Sequence, residues 1–340
     1  MPSHGPAARL RATLSCLAGQ GPGTPPFEVV VVDDNPGPAG DDPRAAGGSP
    51  EPVADSPGPA GGHPGPAGGG AATPAAVARE LARQLPVRVV RGPLRGRAAA
   101  RNAGAAAARG ARLVFLDDDV LVGPDFLAAH AEAADPDAFT HGQTRELPTA
   151  ARLLRSLEGG SPEDVRQARA ALGPAPAPAP AGPAPAAPPP AGPAAHRRLV
   201  ANALERTVEA MAGGALPDVA PWLGFVGANT AVDRDRWRRA GGFDEDFGHT
   251  WGCEDLEFGF RLHAAGVRRA LAAGALGIHL SHARPGRWEQ HHVNLTRFRA
   301  LHPHASVHAL GALLGPGGTP GEYVRAVVTA TDAPVRGGAR

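Results

Sequence analysis

Two uninterrupted apolar runs, each ending abruptly in aspartates, limit what this chain can become. The first is FEVVVVDDN (27–35) and the second is ARLVFLDDD (111–119). A strand with one wet face alternates apolar and polar residues, so continuous runs of this kind read as strands buried on both faces. Such strands need helices above and below them. VRVVRG (87–92) reads as another strand, while AARLRATLSCLAG (7–19) and RAAARNAGAAAARG (97–110) carry helical spacing. Strands alternating with helices predict an α/β fold with a mostly parallel sheet flanked by helices, in which ligands bind beyond the carboxyl ends of the strands. Both ends here are acidic, Asp33–Asp34 and Asp117–Asp119.

Adjacent carboxylates repel one another, and desolvating them is costly unless a cation is present. In an extended segment Asp117 and Asp119 point the same way and Asp118 the opposite way. The pair is suited to chelating one hard cation whose remaining positions hold diphosphate oxygens. A solvated acidic turn is the plain alternative for any one such motif.

The 340 residues include 34 basic and 33 acidic side chains, a net charge of +1 that makes no case for nucleic acid or an anionic membrane. Two cysteines, Cys16 and Cys253, are too few for a disulfide framework. No apolar run reaches the length of a transmembrane segment and no signal peptide opens the chain, so the expectation is a soluble, cytoplasmic protein. Gly (46) and Pro (38) are abundant. They concentrate in 36–75 and 174–195, which read as disordered low-complexity loops of one domain spanning 1–310. Within it, 1–150 is the expected nucleotide-binding half and 196–310 the acceptor and catalytic half, with 311–340 a C-terminal tail.

The second half contributes WLGFVGANTAV (222–232), GGFDEDFGHTWGCEDLEFGFRLHAAG (241–266) and GIHLSHARPGRWEQHHVNLTRF (277–298). A helix is expected to begin after Cys253, with Glu254 and Asp255 in its first turn, where the helix dipole favours carboxylates. That placement by itself is explanation enough for two acidic residues.

Taken in order, PFEVVVVDDN, ARNAGAAAARGARLVFLDDD, GFVGANTAV, AGGFDEDF and WGCEDLEFGFRL resemble the family 2 nucleotide-sugar glycosyltransferases of GT-A fold. Residues 222–266 resemble the carboxyl-terminal half shared by galactosyltransferases and chondroitin-type polymerases. The resemblance implies inverting transfer of a sugar from a nucleoside diphosphate, by family likeness a uridine diphosphate, to an acceptor hydroxyl. It implies that Asp34 contacts the nucleotide base and that Asp117 and Asp119 form the D-x-D motif, with Asp119 on the metal. Asp255 is then the general base, Glu254 its neighbour on the acceptor, and Trp251 part of the sugar pocket. His282 completes the metal site, with His279 its competitor for that role, and Arg101 is a candidate for the diphosphate. Mixed carboxylate and imidazole ligands favour Mn²⁺, or Mg²⁺ as the substitute, over Ca²⁺. The acceptor stays open between a glycan, a lipid-linked sugar, a peptide and a small metabolite.

Three rivals share some of these features. A non-catalytic nucleotide-sugar-binding relative would keep the residues without the reaction. A metal-dependent nucleotidyl or phosphoryl transferase would need a phosphate-cradling glycine loop, of which RGPLRGRAAARN (91–102) is a poor version. A zinc hydrolase would draw on His279, His282, His291 and His292, whose spacing does not match a helical zinc motif. Relatives in the resembled family open with an apolar strand before a short turn, whereas MPSHGPAARL matches the turn itself. The expectation is a start of translation upstream that supplies that strand.

Overall fold

The computed structural model describes residues 1–35, 72–157, 160–172, 199–282, 286–315 and 317–332. The expected α/β architecture is the observed one. Strands β1 (Pro2–Ser3), β2 (Val29–Asp33) and β3 (Val87–Arg91) form a wholly parallel sheet in the order β1-β2-β3. The helices Ala7–Leu17 and Pro74–Leu81 occupy the crossovers that parallel pairing requires. Val31 and Val32 of β2 are fully buried, as a strand covered on both faces should be.

A second sheet has the order β4-β7-β6-β8-β5, built from β4 (Arg112–Leu116), β5 (Val120–Val122), β6 (Ala138–Glu146), β7 (Asn229–Asp233) and β8 (Arg268–His279). Only β6 and β8 pair in parallel there; β4–β7, β6–β7 and β5–β8 are antiparallel. The parallel pattern ends because β4 and β5 are separated by the three aspartates alone, too short a link for a crossover.

Helix Arg97–Ala107 follows β3 and helix Glu254–Ala264 starts directly after Cys253, both as expected. The tract 174–195 lies outside the described residues, as does 36–71. Residues 72–75 are described, and the expected loop ends early because Thr73 caps the helix opening at Pro74, accepting from the Ala76 amide. The expected tail is corrected more strongly. Helix Pro320–Asp332 buries Tyr323, Val324 and Val327 in a core shared with Trp222 and Phe298, and the Tyr323 hydroxyl donates to the Ser306 carbonyl at 3.0 Å. Among the described residues no helix is long and apolar enough to cross a membrane.

Between β2 and β4 lies a cavity of about 330 Å³, lined by Val29, Val30, Leu113, Phe115 and Phe126 and touched by Met1. The two sheets face each other across it. The Met1 amine donates to the Val30 carbonyl at 3.1 Å and the Val32 amide to the Met1 carbonyl at 2.9 Å, so the β1–β2 ladder leads to the cavity's edge. Burial lowers the Met1 amine's pKa to about 6. A strand entering this cavity would lie between apolar residues of β2 and β4. Extending the chain at Met1 with five β-branched apolar residues should raise Tm by about 5 °C or more over a Gly/Ser extension of equal length. Equal melting of the two extended chains would show that the cavity does not accept a strand.

Candidate active site

The Asp117–Asp119 segment is a turn between β4 and β5, and this decides which carboxylate faces which partner. Strand alternation does not apply in a turn, so the expected pairing of Asp117 with Asp119 on one cation is not observed. Asp119 is buried and faces two imidazoles: its Oδ2 lies 3.3 Å from His279 Nε2 and 3.4 Å from His282 Nδ1. One ligand atom from each of the three lies within 4.8 Å of the others. Asp117 instead accepts from Arg101 Nη2 at 3.0 Å, and Asp118 accepts from Ser3 Oγ at 2.8 Å.

The register of β8 explains why His279 stands where it does. It pairs with Val120 of β5, next in sequence to Asp119, and with Glu146 of β6. Glu146 Oε2 then accepts from His279 Nδ1 at 2.7 Å and from Ser281 Oγ at 2.6 Å, leaving Nε2 aimed at Asp119. Burial alone would lower the His279 pKa; hydrogen bonds to Asp119 and Glu146 overcome it and raise it to about 10. A position that holds a proton between carboxylates this firmly also suits a divalent cation. The donor set of one carboxylate oxygen and two imidazole nitrogens fits Mn²⁺ better than Ca²⁺. Both His279 and His282 belong to the cluster.

The second acidic centre starts helix Glu254–Ala264, whose N-cap Cys253 has φ 70°. Glu254 is buried, and its Oε1 accepts from Arg101 Nη1 at 2.8 Å. Burial would raise its pKa, but Arg101 and Arg97 together hold it below the usual carboxylate range. Its Oε2 is buried with no hydrogen-bond partner among the described residues, the kind of vacancy a ligand hydroxyl satisfies. Asp255 is half-buried; its Oδ2 accepts from the Gly227 amide at 3.0 Å and its Oδ1 from the Leu256 amide at 2.9 Å. Burial and then the Glu254 charge raise its pKa. An aspartate with raised proton affinity, reachable from solvent, is a competent general base.

Asp34 is buried at the end of β2, its Oδ1 accepting from the Leu94 amide at 2.8 Å. Gly92 permits that approach, since a Cβ there would come within 2.4 Å of the same oxygen. The Leu94 amide is thus occupied, which removes a donor from the glycine-loop phosphate cradle that a phosphoryl transferase would need. Trp251 is half-buried: its amide donates to Gln290 Oε1 at 3.0 Å, and its ring lies 5.7 Å from that of His291. His291 faces Cys253 Sγ at 3.7 Å, on the helix Arg287–Leu301. Neither it nor His292 joins the Asp119 cluster, so the four-histidine zinc site is not assembled among the described residues.

Glu146 and Gly227 were not legible as site residues. Glu146 carries no local signal, since only the β6–β8 register brings it to His279. Gly227, inside GFVGANTAV, is one of many glycines, and only its amide's bond to Asp255 marks it.

The geometry agrees with two independent sequence matches. Residues 72–146 match the model of "Glycosyl transferase family 2" and residues 219–283 that of "N-terminal domain of galactosyltransferase". Validoxylamine A glucosyltransferase of Streptomyces hygroscopicus subsp. jinggangensis is 29% identical over 227 residues, which cover 61% of this chain and 44% of that protein. Chondroitin synthase of Escherichia coli is 44% identical over 59 residues, 17% of this chain and 8% of that one. The chain therefore spans less than half the length of the curated relatives it matches. Among solved structures, the mannosyltransferase PcManGT from Pyrobaculum calidifontis, in complex with GDP-Man and Mn²⁺, covers 97% of this chain and 67% of its own at 19% identity and TM-score 0.47. S. aureus TarS 1–349 covers 98% and 81% at 14% identity and TM-score 0.46. The resemblance read from the motifs is the one the comparisons find: family 2 glycosyltransferases over residues 72–146, galactosyltransferases over 219–283, and chondroitin synthase among the relatives.

Proposed function

We propose that this chain is a metal-dependent, inverting glycosyltransferase of hexosyltransferase type that moves a sugar from a nucleoside diphosphate, by family likeness UDP, to an acceptor hydroxyl. The observation that carries the reading is the pair of acidic centres: Asp119 with His279 and His282 on one side, Glu254 with Asp255 on the other, with Arg101 linking Glu254 to Asp117 in the Asp119 turn. Asp119, His279 and His282 would hold a divalent ion, which would supply positive charge to the departing diphosphate. In this reading Asp34, just after β2, meets the nucleotide base and Trp251 walls the sugar pocket. The Asp255 carboxylate takes the proton of the acceptor hydroxyl as its oxygen bonds to the anomeric carbon. The bond from that carbon to the diphosphate breaks on the opposite face, and its electron pair leaves with the nucleoside diphosphate. One positioned base and no nucleophile fits a single displacement with inversion. Glu254 Oε2 is available to orient an acceptor hydroxyl. Two buried free cysteines suit the reducing cytoplasm expected for the protein.

Thermal unfolding against a panel of nucleotide sugars, with and without Mn²⁺, tests the reading. One donor class should raise Tm only with Mn²⁺, since ligand at about 100 times Kd stabilises by about 2.7 kcal/mol. A shift from no nucleoside diphosphate sugar under either condition would remove the donor, and the proposal with it.

A further inference from the structure

Arg101 is 3% exposed, although it sits at the centre of the site. Its two terminal nitrogens bridge two carboxylates: Nη1 donates to Glu254 Oε1 at 2.8 Å and Nη2 to Asp117 Oδ1 at 3.0 Å. The guanidinium also lies 5.6 Å from the centre of the Phe243 ring. Helix Arg97–Ala107 supplies it from the first half of the chain, while Glu254 and Phe243 come from the second. A buried arginine held between two protein carboxylates acts as a strut between them, and its burial leaves little of the guanidinium open to a diphosphate.

Gly227 extends this arrangement. A Cβ at residue 227 would come within 2.5 Å of Arg101 Cζ and 2.7 Å of its Nε and Nη2. Any larger residue there would have to push the guanidinium off its two carboxylates. The amide of the same residue donates to Asp255 Oδ2 at 3.0 Å. One residue of no side-chain thickness therefore rests on the arginine and holds the base. Burial opposes the charge on Arg101, yet the nearby Asp117, Glu254 and Asp255 raise its pKa above the ordinary value, so the fork stays charged.

Resting on the glycosyltransferase reading, we propose that Arg101 is a positioning residue: its fork ties the turn after β4 to Glu254, and through Gly227 it fixes where Asp255 stands. It does not bind the diphosphate. A lysine cannot reproduce this, because a single ammonium lacks the planar fork that reaches two carboxylates at once.

Two variants test the proposal, each compared with wild-type protein shown to transfer sugar in the same assay. Gly227→Ala keeps every charge and adds one methyl under the guanidinium; Arg101→Lys keeps the charge and removes the fork. Both should lower kcat about 10²-fold, the cost of a small misplacement of reacting groups, with Mn²⁺-dependent donor affinity within about threefold of wild type. A tenfold or greater loss of donor affinity in Arg101→Lys would assign the arginine to the diphosphate and overturn the proposal. So would a folded Gly227→Ala protein with kcat within threefold of wild type. Amide hydrogen exchange provides a readout independent of turnover and so separates this proposal from the transferase reading. In Gly227→Ala, exchange should speed up together around residues 117–119 and 253–257. Faster exchange confined to the neighbours of residue 227 would show that the two acidic segments are not tied through Arg101.

Discussion

Replacing Asp255 with asparagine should lower sugar transfer about 10²–10⁴-fold while Mn²⁺-dependent donor affinity stays near wild type. The substitution keeps the outline of the side chain and removes its capacity to take a proton. Asp255 accepts from two backbone amides, Gly227 on one oxygen and Leu256 on the other. An asparagine has a single acceptor oxygen, so one of those amides loses its partner, at a cost of about 1–3 kcal/mol if it remains buried. That loss is measurable as a lower Tm, and it is separate from the loss of turnover. Were Asp255 only an acceptor and a favourable charge at a helix N-terminus, the same loss of stability would appear and turnover would persist. The pH profile gives a further check. Burial and the Glu254 charge disfavour the ionised form, so Asp255 keeps its proton to a higher pH than a free aspartate does. The base works only when ionised. The wild-type rate should therefore fall as pH drops through a value displaced upward from the ordinary carboxylate range, and the asparagine variant should lose that limb. Turnover retained within a few-fold would take Asp255 out of the mechanism.

What could be read in advance follows the range over which each interaction acts. Local patterns sufficed for β2 and for the helix after Cys253, because continuous valines and a glycine stop act within a few residues. Periodicity was also present beyond residue 310, where Tyr323, Val324 and Val327 share one helix face, but alanine and glycine around them diluted it. The acidic triplet shows a different limit. Treating Asp117–Asp119 as extended put Asp117 on the cation; the turn sends it to Arg101 and leaves Asp119 to the histidines. Glu146 is the extreme case. Its importance comes from lying opposite His279 across paired strands 133 residues apart, and no window of sequence contains that fact. Composition identified the kinds of group at the site, and register decided which of them meet.

Asp119→Ala should abolish the Mn²⁺-dependent part of donor affinity, with a loss of about 10²-fold or more, and leave the metal-independent part unchanged. Asp119 is the sole carboxylate of the three-residue cluster, and the two remaining imidazoles are neutral ligands only when both have shed their protons. His279 does not lose its orientation in the variant, because Glu146 still holds Nδ1 at 2.7 Å. The loss is thus specific to the cation and not a collapse of the site. A second readout needs no donor. In the metal-free protein Asp119 is one of two carboxylates that raise the His279 pKa to about 10, so its removal should bring the imidazole's titration toward neutral pH, as NMR would follow directly. Asp118→Asn is the control from the same turn. Its carboxyl accepts from Ser3 Oγ and lies outside the cluster, and burial followed by the charge of Asp119 already pushes its pKa up to about 6. An amide oxygen can accept the same serine hydroxyl, so Mn²⁺-dependent donor affinity should remain within about threefold of wild type. Equal loss in the two variants would mean that the triplet acts only through its summed charge. A loss in neither would return all three aspartates to an ordinary acidic turn, and the two histidines to the end of β8 and the segment that follows it.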